Sequence, residues 1–261
     1  MIRYMAIGDV TSPRAADALA GALWDIRRQH RIDFVAVNAE NAGFIIGPSP
    51  EIAKKLLDGG ADVLTGGNHM LQNMALQGMM ESDNRVLRPA NYPDSAPGAG
   101  YTLLDAKGYR ILVMNLLGRV HMDPPLDSPF TAAKRILARE EGRHDLAFID
   151  FHAEATGEKT AFAAYLDGKV SVIYGTHTHV PTADTCVLPG GTGYVSDLGM
   201  CGAEGGILGV DRRAVLDRYI SGIPSRFSPA DGNFYADAVI FSVDEGTGKC
   251  LSVERVRLSL S

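Results

Sequence analysis

The reading of this chain turns on Val172-Ile173-Tyr174-Gly175-Thr176-His177-Thr178-His179-Val180, together with Leu146-Ala147-Phe148-Ile149-Asp150-Phe151-His152 upstream. The short apolar runs read as buried strands. The imidazoles of His152, His177 and His179 then fall where strands open into loops, which is where α/β sheets place their ligands. Imidazole is the commonest metal ligand near neutral pH. Three clustered histidines in a chain with only 7 therefore mark a candidate metal site.

Moving outward, the first half alternates strand and helix. Residues 2–7 read as a strand, and Pro13 opens an Ala-rich amphipathic helix to about residue 30. A strand over 32–37, a helix over 50–58 and a strand over 62–65 follow, then a helix over 70–81 and a Pro-rich loop. This alternation predicts βαβ units and a mostly parallel core. From residue 101 the pattern changes to strands over 101–104 and 110–116. A Pro-rich loop and a helix near 131–140 come next. Short strands near 183–188, 193–196, 236–243 and 250–258, broken by Gly-rich turns, suggest antiparallel pairing. No repeat or linker interrupts the chain, so residues 1–261 are expected to form one α/β domain.

Composition narrows the function classes. The chain is 46% hydrophobic and 21% charged with 29 glycines, which suits a loop-rich α/β enzyme rather than a disordered chain. A net charge of −6 gives no electrostatic reason to bind nucleic-acid duplexes or anionic membranes. Cys186, Cys201 and Cys250 form neither a disulfide framework nor a CxxC pattern. No apolar run reaches membrane-span length and no leader-like stretch precedes Ile2, so a reduced cytoplasmic setting is expected.

Every early strand ends in a polar cluster: Gly8-Asp9-Val10, Asn38-Ala39-Glu40-Asn41, and Gly66-Gly67-Asn68-His69. With His152 and the His177/His179 pair, five strand ends present potential ligands. If the strands run parallel, these ends share one edge and can converge.

The set resembles the calcineurin-like metallophosphoesterases in Gly67-Asn68-His69, His152 and His177-Thr178-His179. The early motifs depart from that pattern, with Thr11 where a histidine is usual and Glu40-Asn41 in place of the bridging aspartate region. Those departures, together with Arg88-Pro89-Ala90-Asn91, Phe151–Thr156 and Gly206–Asp211, are similar to the bacterial YmdB-like 2′,3′-cyclic-nucleotide phosphodiesterases. The resemblance implies a metallophosphoesterase-like α/β sandwich of two packed mixed sheets flanked by helices. It also implies in-line hydrolysis of a small phosphodiester such as a 2′,3′-cyclic nucleotide at a two-metal site, and a homo-oligomer.

By the same resemblance, one metal takes Asp9, Glu40, Asn41 and His179. The other takes Glu40, Asn68, His152 and His177, with Glu40 as the bridge. Two-metal phosphoester chemistry needs ions about 3.5–4 Å apart and a shared hydroxide. Two divalent ions against two carboxylates leave a charge of about +2, or +1 with hydroxide, which attracts a phosphate anion. Mixed nitrogen and oxygen donors without thiolate suit iron, manganese or zinc. His69 is implied to be the general acid that protonates the leaving alkoxide. Arg119 and His121, in the loop after a strand, are candidates for contact with phosphate or base.

Plainer roles compete at several positions. His30 and His144 lack partners and read as structural. Asp9 could cap the helix after Pro13, although Thr11 or Ser12 is better spaced for that. Asn41 could serve a left-handed turn before Gly43, and Glu154 a hydrogen bond or the surface. Gly202 to Gly209 lacks the phosphate-loop pattern and reads as a flexible loop. Met70, Met74, Met79 and Met80 suit helix core faces. Competing functions are a phosphomonoesterase on the same scaffold and a non-catalytic regulatory or scaffold protein that keeps the metals. An amidohydrolase is disfavoured because its HxH belongs to the first strand.

Overall fold

The computed structural model describes residues 1–260. Its elements in chain order are β1 (Ile2–Ile7), β2 (Asp9–Val10), α1 (Pro13–His30), β3 (Phe34–Asn38), α2 (Pro50–Asp58), β4 (Val63–Thr65), a 3-10 turn (Met70–Gln72), α3 (Met74–Ser82), β5 (Tyr101–Ala106), β6 (Tyr109–Leu117), α4 (Pro129–Arg139), β7 (Leu146–His152), α5 (Thr156–Leu166), β8 (Val172–Thr176), β9 (Cys186–Val187), β10 (Gly193–Val195), β11 (Met200–Ala203), α6 (Arg212–Ser221), β12 (Phe234–Val243) and β13 (Cys250–Leu260). They form two mixed sheets. One has the order β2-β11-β12-β1-β3-β4 with β13 also paired to β12, and the other has β5-β6-β7-β8-β10-β9.

Residue alternation explains how the layers stack. Ile2, Tyr4 and Ala6 of β1 join Phe34, Ile111, Val113, Phe148, Val172, Tyr174 and Phe241 in a core between the two sheets. Met5 and Ile7 face the other way, onto Ala16, Leu19 and Leu23 of α1. Leu112, Met114, Ile149 and Phe151 lie under α4 and α5. Strands buried on both faces read as continuous apolar runs. The stack is therefore helix, sheet, sheet, helix.

Local chemistry sets the helix ends. Ser12 accepts a hydrogen bond from the Ala15 amide and Pro13 begins α1, which stops at Arg31 in the left-handed region (φ 52°). The cap position is thus Ser12, which leaves Asp9 free for another role.

Three expectations change. The helix over 70–81 is broken at Asn73, whose side-chain amide donates to the Gly47 and Pro48 carbonyls while its oxygen caps Ala75. The polar strand ends do not share one sheet, since β1, β3 and β4 belong to the first and β7 and β8 to the second. The C-terminal third is only partly antiparallel, because β10 runs parallel to β8 and β11 parallel to β2. β2, β11, α5 and α6 had no counterpart in the sequence reading. No helix is long and apolar enough to cross a membrane among the described residues.

Candidate metal centre

The inter-sheet faces become polar toward one end of the stack. Along β3 the inward series runs Phe34, Ala36, Asn38 and then Glu40, and along β7 it runs Leu146, Phe148, Asp150 and His152. Asn38, Thr65, Asp150 and Thr176 form a buried polar floor above the aromatic core. Asp150 accepts from the Asn38 amide, at 3.0 Å, and from the Thr65 and Thr176 hydroxyls. Asn38 in turn accepts from the Glu40 amide at 3.0 Å.

On this floor the expected donors meet. His152 Nε2 lies 3.1 Å from His177 Nδ1 and 3.6 Å from Glu40 Oε1. His179 Nε2 lies 3.3 Å from the Asn41 amide and 3.8 Å from Asp9 Oδ1. The neighbours thus fall into one group of Asp9, Asn41 and His179 and another of Glu40, His152 and His177. Asp9 Oδ1 also comes within 3.7 Å of His152 Nδ1. Among the described residues, no three His, Cys, Asp or Glu side chains close into a formed cation cage. The rings are paired instead with one another and with amides.

Each histidine is oriented from behind. His179 Nδ1 lies 3.2 Å from the Leu208 carbonyl, which can only accept, so Nε2 is left for the cluster. His177 Nε2 lies 3.0 Å from Glu154, and its own backbone amide donates to Asp9 Oδ2 at 3.1 Å. Glu40 accepts from the amides of Gly67 and His69. Gly67 is required here, because a Cβ would lie 2.1 Å from His152 Cδ2.

The electrostatics fit cations. Burial, followed by the nearby Asp197, pushes Asp9 up to about 8, and burial pushes Glu40 well above its ordinary value. No Lys or Arg pairs with either carboxylate among the described residues. Burial lowers the pKa of His152, His177 and His179, favouring the neutral form that ligates metal. Asp9 Oδ1 and Asn68 Oδ1 are buried without a hydrogen-bond partner. Buried polar atoms are normally satisfied. Oxygen and neutral nitrogen donors around two uncompensated carboxylates make a set that could hold divalent cations.

Other expected residues are placed as follows. His69 stands at the rim with Nδ1 2.9 Å from Asn41 Oδ1 and 3.3 Å from Glu40, and burial lowers its pKa. The Asn41 oxygen thus faces His69 and its nitrogen faces His179. A half-turn of the amide exchanges the two atoms. Thr11 is turned away, donating to the Cys201 carbonyl at 3.0 Å. Arg119 and His121 are exposed in the loop after β6, whose Leu117 pairs with His152. No hydrogen bond or ion pair joins either side chain to the cluster among the described residues. Asp150, Thr176, Lys159 and Asp197 escaped the sequence reading, although alternation along β7 and β8 carried the signal for the first two.

Comparison with known proteins identifies the family. A family model described as YmdB-like protein matches residues 5–256. A Bacillus subtilis (strain 168) protein named 2′,3′-cyclic-nucleotide 2′-phosphodiesterase is 38% identical over 258 residues, covering 99% of this chain and 97% of that protein. A crystal structure described as a novel phosphatase from Mycoplasma pneumoniae superposes with TM-score 0.90 at 30% identity, covering 99% of this chain and 93% of that one. The calcineurin-like phosphoesterase YfkN of Bacillus subtilis, 11% identical, superposes with TM-score 0.62 over 99% of this chain and 90% of that one, a likeness of fold.

Proposed function

The chain belongs to the YmdB-like family, and from that premise we propose that it is a metal-dependent phosphodiesterase acting on 2′,3′-cyclic nucleotides. The observation that carries this reading is the pair of buried carboxylates, Asp9 and Glu40, that stand beside the imidazoles of His152 and His179 with no Lys or Arg ion-paired to either.

Asp9, Glu40, Asn41, Asn68, His152, His177 and His179 would hold two metal ions, with iron, manganese or zinc suited to the donors. When bound, such a pair supplies Lewis acidity toward phosphoryl oxygens and a water of lowered pKa. The protein residues do the rest. Glu40 offers two oxygens from one rigid position, fixed by the Gly67 and His69 amides. Having only two carboxylates in the set keeps the loaded site cationic, so the phosphate anion is drawn in. With the Asn41 amide turned so that its nitrogen donates to His69 Nδ1, the hydrogen of the neutral ring would sit on Nε2, which could hand it to the leaving ribose oxygen. Arg119 and His121 would meet substrate beyond the end of β6.

The test measures metal content and hydrolysis of 2′,3′-cyclic AMP, bis-p-nitrophenyl phosphate and p-nitrophenyl phosphate for the wild type, Glu40→Ala and His69→Ala. The wild type should prefer the diesters, and Glu40→Ala should lose metal and rate together. His69→Ala should keep its metals and lose about 10²–10⁴-fold on the cyclic nucleotide, with a smaller loss on the activated aryl ester. A metal-loaded wild type inert on both diesters, or Glu40→Ala at full rate with both metals, overturns the reading. Preference for the monoester makes the protein a phosphomonoesterase instead. Full activity of His69→Ala on the cyclic nucleotide removes only the acid role.

A further inference from the structure

The loop that carries His177 and His179 is held from inside the protein by an ion pair outside the candidate ligand set. Lys159 on α5 and Asp197, between β10 and β11, are 2% and 1% exposed and meet at 2.7 Å. The same Asp197 oxygen accepts from the Thr178 backbone amide at 3.1 Å, and its second oxygen accepts from Gly199 N–H at 3.0 Å. Thr178 is the residue between the two histidines. His177 (φ 105°) and His179 (φ 63°) both lie in the left-handed region, which a residue with a Cβ holds only where its surroundings impose it.

The neighbouring backbone serves the same end. The Asp197 amide donates to Thr182 Oγ1 at 2.9 Å and the Thr182 amide returns to the Asp197 carbonyl at 3.1 Å, closing the loop a few residues past His179. On the strand side, a Cβ at Gly175 would lie 1.7 Å from the Ser196 carbonyl oxygen and 2.9 Å from Lys159 Cδ. β8, the Lys159 stem and the segment before Asp197 therefore pack with no room to spare.

We propose that Asp197, neutralised by Lys159, is a positioning residue that pins the Thr178 amide and thereby aims His177 and His179 at two different metal ions. The inference rests on the two-metal reading above. A carboxylate suits the task because three N–H donors converge on its two oxygens, and an amide there would turn an NH₂ toward a donor. A cation suits Asp197 because an unpaired buried carboxylate this close would compete with Asp9 and Glu40 for metal. Buried pairs of this kind are costly to form and are best attested where they specify one arrangement.

The test uses the full chain, stripped with chelator and titrated with Co(II), whose visible absorption reports coordination. The variants are Asp197→Asn and the double Asp197→Asn/Lys159→Met, which leaves no unpaired charge inside. Leu23→Ala, in the core between α1 and the outer face of the first sheet, serves as a destabilised control away from the loop. The double variant should melt cooperatively, bind Co(II) about ten- to a hundredfold more weakly and show an altered spectrum, while Leu23→Ala keeps the wild-type affinity and spectrum. A folded double variant with wild-type affinity and spectrum overturns the proposal. If neither Asp197 variant folds, amide exchange in the metal-free wild type decides. Slow exchange at Thr178 supports the pinned amide and free exchange overturns it. A wild type that takes up fewer than two Co(II) per chain overturns the two-metal reading and this inference with it, whereas a change confined to the variants speaks to the inference alone.

Discussion

The Thr176 hydroxyl stands 2.9 Å from His152 Nδ1 and donates to Asp150 Oδ1 at 2.7 Å. With its one proton committed to Asp150, the hydroxyl can only accept from the ring. Nδ1 of His152 therefore carries the hydrogen, and Nε2 presents its lone pair to Glu40 and His177. The tautomer is chosen from the floor of the site, by a hydroxyl that bonds His152 directly and is itself held by Asp150.

Thr176→Val keeps the shape of the side chain and deletes that acceptor. It strands the His152 N–H and takes a donor from Asp150, so stability should fall by about 1–3 kcal/mol. Metal affinity should fall about ten- to a hundredfold, as is usual when the group orienting a ligand is lost. Thr176→Ser should restore most of both. Calorimetric Mn(II) titration checks this, and an unchanged dissociation constant for Thr176→Val would show that His152 needs no orienting partner.

Much of this arrangement was legible beforehand, for reasons that differ by residue. Asp9, Glu40, Asn68 and the histidines sit at strand ends, Asp9 and Asn68 directly after a glycine, and a motif at a strand end survives without knowledge of pairing. That the strand ends come from two sheets was not legible, because an apolar run does not say which sheet it joins. Asn38 stands in the polar cluster that ends β3, but its bond to Asp150, 112 residues away, leaves no trace in spacing. Asp150 and Thr176 sit inside apolar runs, where only alternation sets them on the face of Phe148 and Tyr174. Helix α5, with Gly157 near its start, shows no strong apolar stripe, so Lys159 drew no notice. Asp197 meets its partners from 38 and 19 residues away in sequence, and spacing carries no trace of that.

Between the sheets, the Tyr4 hydroxyl donates to the Tyr174 hydroxyl at 2.8 Å, and the Tyr4 ring stacks on Phe148 at 4.2 Å. Tyr174→Phe keeps the packing but leaves a buried hydroxyl on Tyr4 without its acceptor, a loss of about 1–3 kcal/mol. Removing both hydroxyls should cost less than the two single changes added together, because nothing is then left stranded. Urea unfolding of the two single variants and the double variant closes the cycle. A purely additive result would mean that the two hydroxyls do not depend on each other.

At the surface, Arg110 grips Asp145 through two guanidinium contacts, at 2.7 and 3.1 Å, and its own backbone amide, holding the carboxyl down to about 2. A depressed folded-state pKa contributes stability that is present above the unfolded value of about 4 and is lost as pH falls toward 2. Both groups are solvent-exposed, so the pH-dependent part is small and is screened by salt. The stability gap between wild type and Arg110→Ala should hold from pH 7 to 5 and narrow between about pH 4 and 2 at low ionic strength. Urea midpoints across that range are the check, and a gap that widens on acidification contradicts the assignment.

Asp9 and Glu40 also make a thermal prediction that needs no substrate. Both are buried, neither pairs with Lys or Arg, and burial raises the pKa of both, so ionising them in the metal-free fold is costly. A ligand that binds only the folded state adds about 2.7 kcal/mol at a hundredfold excess over its dissociation constant. For a domain of this size that corresponds to a rise in Tm of roughly 5–10 °C. Mn(II) should therefore raise the melting temperature of chelator-treated wild type, and chelator should reverse the rise. Glu40→Gln behaves differently because it removes the proposed bridge and turns an NH₂ toward one of the two amide donors, Gly67 or His69, that Glu40 accepts. Its metal-free form should melt below the metal-free wild type, and Mn(II) should move it little. Equal Mn(II) shifts in wild type and Glu40→Gln would mean that the cation binds somewhere other than at Glu40.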